Sequence, residues 1–541
     1  MTMRALLTGL LVLGTISAPL AADAVKDPLV PSFAEETATA GIDSTYSGDW
    51  DYITGGGAAS FDCNADGFPD LLLAGGEEKA NFYLNRSSPG GALKFEKSES
   101  GLELTEVNGA YPLDIDSDGI MDVVLMRIGK PAVMRGLGAC RFERMDKAWN
   151  FPGMSLWWSA FAATWEKGAN WPTLVMGSYI SLTQSTDLNP WGSCTGTSLL
   201  RPNETGTGFA DAVPLKPSYC PLSMVFTDWN RSGTPSLRVS NDREYYRGGS
   251  EQLFHFEPGK PPVAYTDKEG WKPLRIWGMG IASADVNADG YPDYFLSSMA
   301  DNKLQILASP SADGRMKPDY NDVAFALGAV AQKPYTGPDQ QPSTAWHAEF
   351  DDVNNDGRPD LFVAKGNISD MLDFAMQDPN NLLLLREDGK FVEAGDKAGV
   401  ASMEQSRGGV LTDFNLDGRI DLLVVNRNSK AQIWRNSTDK PGHFIEVKLE
   451  QPAPNRDALN AWIVVTANGK KIEREIFAGA GQGSGETGWW HTGIGEAESV
   501  ELQVIWPDGE KSEPATVKAD GFYIVRRGSA PEAWTPGTPL R

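Results

Sequence analysis

The sequence predicts an all-β protein, a seven-bladed β-propeller followed by a small antiparallel β-domain. Three observations favour this fold class. The 541 residues include 57 Gly and 35 Pro, and turn residues this frequent are typical of many short strands. One aspartate-rich motif recurs along the chain at intervals of about 60 residues. Beyond its last copy, apolar and polar residues alternate as they do in half-buried strands.

The composition narrows the classes of function. The chain carries 48 Lys and Arg against 72 Asp and Glu, a formal net charge of −24. Because this charge repels phosphate backbones and no segment is strongly basic, we expect no nucleic-acid partner. Hydrophobic residues make up 41% of the chain, which is enough to build large cores. We therefore expect a folded protein rather than a disordered one.

The N-terminus has the pattern of a secretory signal peptide. Arg4 precedes an apolar run over residues 5–13, and small residues follow up to Ala24. We expect residues 1–24 to be cleaved, because the run is too short to span a membrane, and we expect no transmembrane segment in the mature chain. The protein would then be exported, periplasmic or extracellular, in a compartment where disulfides form.

The cysteines favour one disulfide. Four cysteines allow three pairings, and no CxxC motif indicates thioredoxin-like chemistry. We favour Cys194 with Cys220, because these two flank a long irregular stretch of the third repeat. Closing that loop would stabilise the fold by about 3 kcal/mol.

The repeated motif is D-x-[DN]-x-D-G-x-x-D, and a short apolar run follows each copy directly. The five copies occupy residues 62–70, 114–122, 285–293, 352–360 and 413–421. Two weaker copies start at Trp165 and Asp228, and with them the spacings are 52, 51, 63, 57, 67 and 61 residues. A single unit has too few strands to bury its own apolar face. Seven such units predict a seven-bladed β-propeller over residues 45–437.

The motif carries the chemistry of a calcium loop. Positions one, three, five and nine offer oxygen ligands to one centre, the glycine permits a sharp turn, and Ca²⁺ tolerates such irregular oxygen cages. An EF-hand shares positions one, three, five and six but requires Glu at position twelve, where these loops carry Leu or Val. The predicted ligands of about five Ca²⁺ ions are Asp62, Asn64, Asp66, Asp70, Asp114, Asp116, Asp118, Asp122, Asp285, Asn287, Asp289, Asp293, Asp352, Asn354, Asp356, Asp360, Asp413, Asn415, Asp417 and Asp421.

These strand-flanked loops resemble the FG-GAP/VCBS repeats of the integrin α-chain propeller and its bacterial relatives. The resemblance covers about residues 55–436, and it implies that the loops bind Ca²⁺ between strands. The copies at Trp165 and Asp228 depart from the pattern, so no metal is expected there.

The C-terminal region is predicted to be a separate β-domain over residues 440–530. Its motifs, at residues 455–465, 479–484, 491–495 and 504–509, resemble in order those of the ASPIC/UnbV domain. FG-GAP repeats followed by this domain is the layout of the cartilage-acidic-protein family and its bacterial homologues. The resemblance implies an architecture more than an activity.

Aromatic residues precede several of the metal loops. Trp277 and Trp346 stand before two of them, and Trp157 stands before the weak copy at Trp165. His347 follows Trp346, and Arg407 takes the equivalent place in the last unit. The strand before each loop is innermost in a propeller, so these side chains are expected near one mouth of the central channel. Two interpretations remain open: packing between blades, or a pocket for a sugar, a peptide or a small organic ligand.

The predicted function is that of a secreted or periplasmic calcium-binding propeller, a module that binds a ligand or a protein. One alternative is an exported enzyme with an aromatic active site at the channel mouth, acting on carbohydrate. Another is a structural subunit of an envelope complex. The motifs G-x-S-x-G, Walker A and H-E-x-x-H are absent from the sequence, and no catalytic residue is identified. An acid–base pair in the cavity lined by the five residues above would favour the enzyme.

Overall fold

The computed structural model describes residues 27–182, 193–242, 249–308 and 316–540. Apart from short helical turns, the regular secondary structure of this part of the chain consists of β-strands, which confirms the predicted fold class. The predicted signal peptide, residues 1–24, lies outside the described residues. No helix in the described part is long and apolar enough to cross a membrane. The short helices are α1 (Thr37–Ala40), α2 (Ala324–Leu327) and α3 (Gly395–Ala398), with 3₁₀ turns at Trp50–Tyr52 and Asp267–Glu269.

Seven antiparallel four-stranded units, here called sheets 1 to 7, make up the first part of the structure. The N-terminal strand is β1 (Phe33–Glu35). Sheets 1 to 3 contain, in chain order, β2 (Ala58–Phe61), β3 (Asp70–Leu73), β4 (Asn81–Asn85) and β5 (Phe95–Ser98); β6 (Val107–Leu113), β7 (Asp122–Gly129), β8 (Ala132–Gly136) and β9 (Phe142–Arg144); and β10 (Leu156–Thr164), β11 (Thr173–Ile180), β12 (Cys194–Leu200) and β13 (Val213–Leu215).

Sheets 4 to 7 repeat this order. They contain β14 (Pro221–Thr227), β15 (Ser236–Asn241), β16 (Gln252–His255) and β17 (Val263–Ala264); β18 (Gly278–Ala284), β19 (Asp293–Ser298), β20 (Lys303–Leu307) and β21 (Tyr320–Asp322); β22 (Ala345–Asp351), β23 (Asp360–Lys365), β24 (Asn381–Leu385) and β25 (Phe391–Glu393); and β26 (Gln405–Thr412), β27 (Asp421–Arg427) and β28 (Gln432–Asn436), joined by β1. A short pairing of β7 with β10 also links sheets 2 and 3.

The sheets form a closed ring. The first strand of each sheet contacts the first strand of the next, and β26 contacts β2. The N-terminal strand β1 pairs with β28 as the outermost strand of sheet 7, so the two ends of the repeat region close the ring together. The ring therefore begins upstream of residue 45, the predicted boundary. Strand β1 was not predicted, because a strand of three residues shows no readable periodicity. A closed ring of four-stranded sheets is the arrangement of a β-propeller.

The C-terminal domain, residues 443–534, consists of two four-stranded sheets that enclose a common apolar core. Its strands are β29 (His443–Glu450), β30 (Trp462–Ala467), β31 (Lys470–Glu475), β32 (Gly485–Glu486), β33 (Trp490–Gly495), β34 (Ser499–Ile505), β35 (Ala515–Lys518), β36 (Gly521–Arg526) and β37 (Glu532–Trp534). The prediction of an antiparallel domain is wrong in one respect, because β29 and β36 pair in parallel. The short strand β32 leaves the domain and pairs with β2 of the ring.

Residues 477–486, here called the channel segment, run from the C-terminal domain into the axis of the ring. The Ala480 amide donates to the Met224 carbonyl of sheet 4 (2.7 Å), and the Gly481 amide donates to the Ile281 carbonyl of sheet 5 (2.7 Å). The Ala110 amide of sheet 2 donates to the carbonyl of Gly483 (3.1 Å). The segment consists mainly of Gly, Ala and Ser, since seven converging strands leave space for little more than a backbone.

The C-terminal domain covers the end of the ring that carries the metal loops. The ring of Phe444 lies against Gly418, so closely that a Cβ added there would sit 1.9 Å from it. The Trp489 indole donates to the carbonyl of Gly67 (3.1 Å). Arg456 reaches the loop of sheet 2 beside Gly119. The opposite end, here called the mouth end, carries the segments before each first strand and those between second and third strands.

Two disulfides link neighbouring sheets. Cys194 pairs with Cys220, and Cys63 pairs with Cys140. The stretch between Cys194 and Cys220 is less irregular than predicted, because Cys194 begins β12 and the stretch also contains β13. The Cys194–Cys220 bond therefore joins sheet 3 to the start of sheet 4 instead of closing a single loop.

The glycine directly before the first strand of sheet 1 tests the packing of the channel segment. A Cβ added to Gly57 would lie 1.8 Å from the carbonyl oxygen of Gly483. We expect Gly57→Ala to lower the free energy of unfolding by about 3 kcal/mol in urea titrations, because backbone would have to move. Gly153→Ala is the control, since no atom lies within 4 Å of its added Cβ. Equal stability of the two variants would contradict a filled channel.

Candidate functional site

Each metal loop is built around the carboxylate at position one. In sheet 1 the Gly67 amide donates to Asp62 Oδ2 (2.8 Å), and the Asp66 amide donates to Asp62 Oδ1 (3.3 Å). Gly67 has a φ of +88°, a left-handed conformation that favours glycine. The glycine at position six makes the same bond in the other four loops, at 2.6–3.0 Å. The repeated motif therefore encodes one repeated turn.

The aspartate at position nine ties each loop to the body of its sheet. Asp70 accepts the amide of Cys63 within the loop (3.1 Å) and the amide of Asn85 on the third strand (2.8 Å). Asp421 accepts the equivalent amides of Phe414 (3.0 Å) and Asn436 (2.8 Å). All five position-nine aspartates are fully buried: Asp70, Asp122, Asp293, Asp360 and Asp421.

The buried carboxylates fit a hard cation. Oxygens of Asp114, Asp116 and Asp122 lie within 4.8 Å of one another. Burial raises the pKa of Asp114 to about 7 and that of Asp293 to about 8, because the ionised groups lose water. An oxygen-coordinated cation would replace that water and favour ionisation. The calcium ligands named from the sequence stay a prediction.

Arginines neutralise part of the charge at the outer positions. Arg135 pairs with Asp116 (2.7 Å) and with Asp118 (2.6 Å), and Arg419 pairs with Asp417 (3.1 Å). These contacts involve positions three and five, whereas positions one and nine are bound mainly by backbone amides. The inner carboxylates are therefore the ones that most need a cation.

The weak copy at Asp228 forms the same turn as the intact loops, but its side chains contact the C-terminal domain. Asp228 accepts the amides of Ser232 (2.8 Å) and Gly233 (2.9 Å), as an intact loop does. From this loop Arg231 pairs with Glu473 of the C-terminal domain (2.8 Å) and stacks 3.7 Å from the ring centre of Trp462. This loop is thus attached to the C-terminal domain by a cationic side chain.

The predicted aromatic residues gather at the mouth end of the ring. Trp157, Trp277 and Trp346 belong to one apolar cluster. The Arg407 guanidinium lies 4.2 Å from the ring centre of Trp346. Arg407 donates to the carbonyls of Ile53, Ser406, Asn367 and Ile368, at 2.8–2.9 Å.

Most of this cluster is packed rather than open. Trp157 and Trp346 are buried, and their indole nitrogens donate to Thr54 Oγ1 (3.0 Å) and to the carbonyl of Gly366 (2.7 Å). Burial and the nearby charge of Arg427 lower the pKa of Arg407 to about 9. Packing between blades accounts for these contacts, and Trp277 alone of the five predicted residues is partly exposed. The ligand pocket itself stays a prediction.

His347 faces a different space, a cavity of about 70 Å³ between the ring and the C-terminal domain. The Gln482 amide of the channel segment donates to His347 Nδ1 (3.1 Å), and His347 Nε2 lies 3.0 Å from Glu349 Oε2. Burial lowers the pKa of His347 to about 4, so its imidazole is neutral at pH 7. The cavity is lined by sheets 5, 6 and 7, by the channel segment and by the C-terminal domain.

A pair of carboxyl groups lies in this cavity. Glu349 of β22 and Glu486 of the channel segment interact with each other across it. Burial raises the pKa of Glu349 to about 8, and burial together with the neighbouring Glu349 raises that of Glu486 well above its ordinary value. The pair therefore retains a proton near neutral pH.

An ion-pair network continues from the cavity into the C-terminal domain. Arg474 Nη1 donates to Asp351 Oδ2 (2.8 Å), and Arg474 Nη2 lies 4.0 Å from Glu486. His491 Nδ1 lies 3.1 Å from Asp351 Oδ1. Burial would raise the pKa of Asp351, but Arg474 and His491 together lower it to about 2. Asp351 is thus a carboxylate at any physiological pH.

The sequence prediction missed this network. Glu349 and Asp351 occupy alternate positions after His347 on β22, and this period of two was a usable signal for a shared face. Arg474, Glu486 and His491 lie more than 120 residues further along the chain, and no spacing rule brings them to the same place.

Comparison with known families agrees with this architecture. A family model described as FG-GAP-like repeat matches residues 62–125 and 352–424. A second model, ASPIC and UnbV, matches residues 451–532. The chain carries FG-GAP-like repeats and an ASPIC and UnbV domain. The resemblance predicted from the sequence is confirmed, and the second match coincides with most of the C-terminal domain.

Curated relatives carry the same name in several animals. The chain is 27% identical over 270 residues to Cartilage acidic protein 1 of Mus musculus, which covers 48% of this chain and 38% of the relative. It is 36% identical over 88 residues to Cartilage acidic protein 1 of Homo sapiens, which covers 15% of this chain and 13% of the relative. The chain thus spans well under half the length of these relatives.

Two solved structures match this chain at low sequence identity. BBS1N in complex with ARL6DN is 12% identical with a TM-score of 0.42, and the match covers 76% of this chain and 99% of that one. The BP39L lectin from Burkholderia pseudomallei is 10% identical with a TM-score of 0.42, over 72% of this chain and 99% of the lectin.

The carboxyl pair makes stability depend on pH. With a pKa of about 8 against 4.5 for an ordinary glutamate, Glu349 binds its proton more tightly in the folded protein. Its contribution is complete below pH 4.5 and is lost as the pH rises through about 8. Glu349→Gln keeps a neutral group, so we expect it to reduce the loss of unfolding free energy between pH 5.5 and 8.5 by an amount on the order of 2 kcal/mol.

The measurement is urea unfolding at both pH values in saturating Ca²⁺. Glu143→Gln, at an exposed position on β9, serves as the control and should follow the wild-type pH profile. Parallel profiles for wild type and Glu349→Gln would mean that Glu349 titrates normally.

Proposed function

We propose that this protein is an exported, Ca²⁺-stabilised β-propeller that acts as a binding module through the mouth end of its ring. One observation carries the proposal: the C-terminal domain covers the metal-loop end and fills the channel, so the mouth end is the face of the ring left for a ligand. Large apolar side chains are exposed there, namely Trp50, Met154, Leu372, Met376 and Met403.

The mouth-end surface adjoins the aromatic cluster. Leu372 is 85% exposed in the connection between β23 and β24. Its neighbours Met371 and Phe374 pack against the cluster that contains Trp157 and Trp346. Exposed, flexible apolar side chains that lie over a packed aromatic cluster are suited to binding an apolar part of a protein or a small ligand.

The buried carboxylates of the loops support a structural role for calcium. Position-nine carboxylates are buried in all five loops and position-one carboxylates in three of them, and each buried charge is unfavourable without a counter-ion. Extracellular Ca²⁺ modules bind with dissociation constants of about 10⁻⁴ to 10⁻³ M. At millimolar Ca²⁺ each site would then contribute on the order of 1 kcal/mol, and five sites would affect the stability of the whole ring.

Export is supported by the two disulfides. Cys63–Cys140 and Cys194–Cys220 account for all four cysteines of the chain. Disulfides of this structural kind persist in oxidising compartments. They agree with the predicted signal peptide, and both features favour the periplasm or the extracellular space.

A catalytic role has one specific observation in its favour, the Glu349–Glu486 pair beside His347. A pair of carboxyl groups with a raised pKa is a common source of general acid catalysis. The cavity measures about 70 Å³, however, whereas pockets for small molecules measure about 300–1,000 Å³. This cavity is smaller than such pockets, so binding at the mouth end is the better-supported function.

Calcium binding is tested by stoichiometry. We expect isothermal titration of the chelator-treated protein to detect about five Ca²⁺ per chain. The chelator-treated protein should also melt at a temperature well below that of the Ca²⁺-loaded protein. Asp413→Asn should remove one equivalent, because it deletes a position-one carboxylate from an intact loop. Asp228→Asn is the matched control at position one of the weak copy and should leave the stoichiometry unchanged. Identical melting curves with and without chelator would exclude a structural role for calcium.

Binding at the mouth end is tested with a ligand found by thermal-shift screening of sugars, peptides and small organic molecules. We expect the double substitution Leu372→Ser and Met376→Ser to weaken that ligand at least tenfold in fluorescence titration, since it removes apolar contact area. Val263→Ser is the control, because Val263 is 63% exposed on the outer strand of sheet 4. Unchanged affinity of the double variant would place the binding site elsewhere.

A further inference from the structure

The connection between β23 and β24 presents an apolar side chain on an ordered backbone. Residues 366–377, here called the apolar loop, fold around the buried side chain of Asn367. Asn367 Oδ1 accepts the amide of Met371 (3.0 Å), and Asn367 Nδ2 donates to the carbonyls of Met371 (2.9 Å) and Phe374 (3.2 Å). Leu372 lies between these contacts and is nevertheless 85% exposed. Because the backbone is already fixed, little entropy is lost when a partner covers this side chain.

The apolar loop is fixed to the segment that enters sheet 1. Arg407 donates to two carbonyls of the apolar loop (2.9 Å each) and to the carbonyl of Ile53 (2.8 Å). Ile53 directly follows the 3₁₀ turn Trp50–Tyr52, and Tyr52 packs against the same apolar cluster as the apolar loop does. Two segments that are distant in the sequence therefore form one surface. Its exposed apolar residues, here called the mouth patch, are Trp50, Leu372 and Met376.

Exposed carboxylates belong to the same two segments. Asp370 and Asp373 lie in the apolar loop on either side of its exposed leucine, and Asp49 directly precedes the exposed tryptophan. Asp370 and Asp49 both act electrostatically on Arg427, so the charges of the two segments lie around one guanidinium. The mouth patch therefore combines apolar side chains with carboxylates from both of its segments.

Negative charge extends to the neighbouring connections of sheets 1 and 2. Burial, followed by the charges of Glu106, Glu77 and Asp51, raises the pKa of Tyr52 to about 12. These three carboxylates come from three different segments of the chain. The turn that carries Trp50 is therefore surrounded by acidic side chains.

The cations of this region only partly offset these carboxylates. Arg427 donates to the carbonyl of Gly48 (3.0 Å), and Arg127 pairs with Glu106 (2.9 Å). Both arginines are thus engaged with the protein itself. Among the exposed side chains of the same connections, five carboxylates, Asp49, Glu77, Glu78, Asp370 and Asp373, stand against two lysines, Lys79 and Lys130.

A basic, partly apolar partner complements this surface. Negative potential attracts a cationic partner and disfavours an acidic one. A second copy of the chain would bring the same carboxylates face to face, because a two-fold interface uses one surface on both subunits. Lysine and arginine have apolar stems beneath their charges. A segment that combines them with apolar residues can therefore cover the mouth patch and reach its carboxylates.

We propose that the mouth patch docks a basic, amphipathic segment of a partner protein. The apolar side chains of the segment cover Trp50 and Leu372, and its cations pair with Asp49, Asp370 and Asp373 at the edge. This inference rests on the binding function proposed above, because it names the class of partner for the same end of the ring. The apolar contacts supply most of the affinity, whereas the carboxylates select the partner and speed its approach.

The test uses two labelled model peptides and the full-length chain in saturating Ca²⁺. One peptide carries Lys and Leu at the spacing of an amphipathic helix, and the other carries Glu in place of every Lys. Fluorescence anisotropy at an ionic strength of about 0.15 M should show binding of the Lys–Leu peptide and at least tenfold weaker binding of the Glu–Leu peptide.

A double substitution tests the carboxylates of the apolar loop. Asp370→Asn with Asp373→Asn should weaken the Lys–Leu peptide about fivefold, because each exposed ion pair contributes only modestly to binding. The melting temperature should stay unchanged, since both side chains are exposed. Unchanged affinity for the Lys–Leu peptide would overturn the proposal.

Glu204→Gln with Glu387→Gln is the matched control. It removes the same charge from two exposed positions, each between the third and fourth strands of its sheet and therefore at the metal-loop end. This variant should bind the Lys–Leu peptide as the wild type does. Equal losses in the two double variants would mean that the net charge of −24 attracts the peptide without a defined site, which would also overturn the proposal.

The peptides also separate the class of partner from the binding function itself. Equal binding of both peptides, lost in the variant Leu372→Ser with Met376→Ser, would keep the mouth end as an apolar binding surface but would overturn a basic partner. Failure of the Lys–Leu peptide to bind would likewise overturn a basic partner, while the ligand from thermal-shift screening still tests the mouth end. Full binding of the Lys–Leu peptide by the same Leu372 and Met376 variant would contradict docking on the mouth patch.

Discussion

Close packing on the axis of the ring is the constraint on which the rest of the structure depends. Seven first strands converge there, and residues 477–486 fill the space between them. The Gly57 and Gly483 backbones approach so closely that one methyl group would not fit. The segment bonds to the backbones of successive sheets and thereby joins two domains that the chain encodes separately. The channel is consequently not an open route through the protein.

This packing determines where charge accumulates. The C-terminal domain approaches from the metal-loop end, so carboxylates of the ring and of the C-terminal domain meet in a buried layer around Arg474. Glu349, Asp351, Glu446 and Glu486 all interact electrostatically with that guanidinium. One cation cannot neutralise four carboxylates, so Glu349 and Glu486 retain a proton near neutral pH. Part of the net charge of −24 therefore lies at the interface between the ring and the C-terminal domain.

Much of the ring was readable from the sequence because its signals are local. The D-x-[DN]-x-D-G-x-x-D turn needs only nine consecutive residues, and its glycine and aspartates make the same bonds in every intact copy. The aromatic residues were placed at the correct end, yet Trp157 and Trp346 are packed, because burial depends on neighbours from other sheets. Strand β1 was missed, since three residues pair with β28 about 400 positions away.

By itself the sequence determined the repeat, the calcium-type donor set and the two-domain order, because each is carried by residues close together in the chain. Only the tertiary structure decided that the glycine-rich stretch from Gly479 enters the ring and that the metal loops face the C-terminal domain. It alone placed Arg474 and His491 beside Asp351. Many of these contacts join positions more than 90 residues apart, and spacing along the sequence does not reveal which distant residues will meet in space.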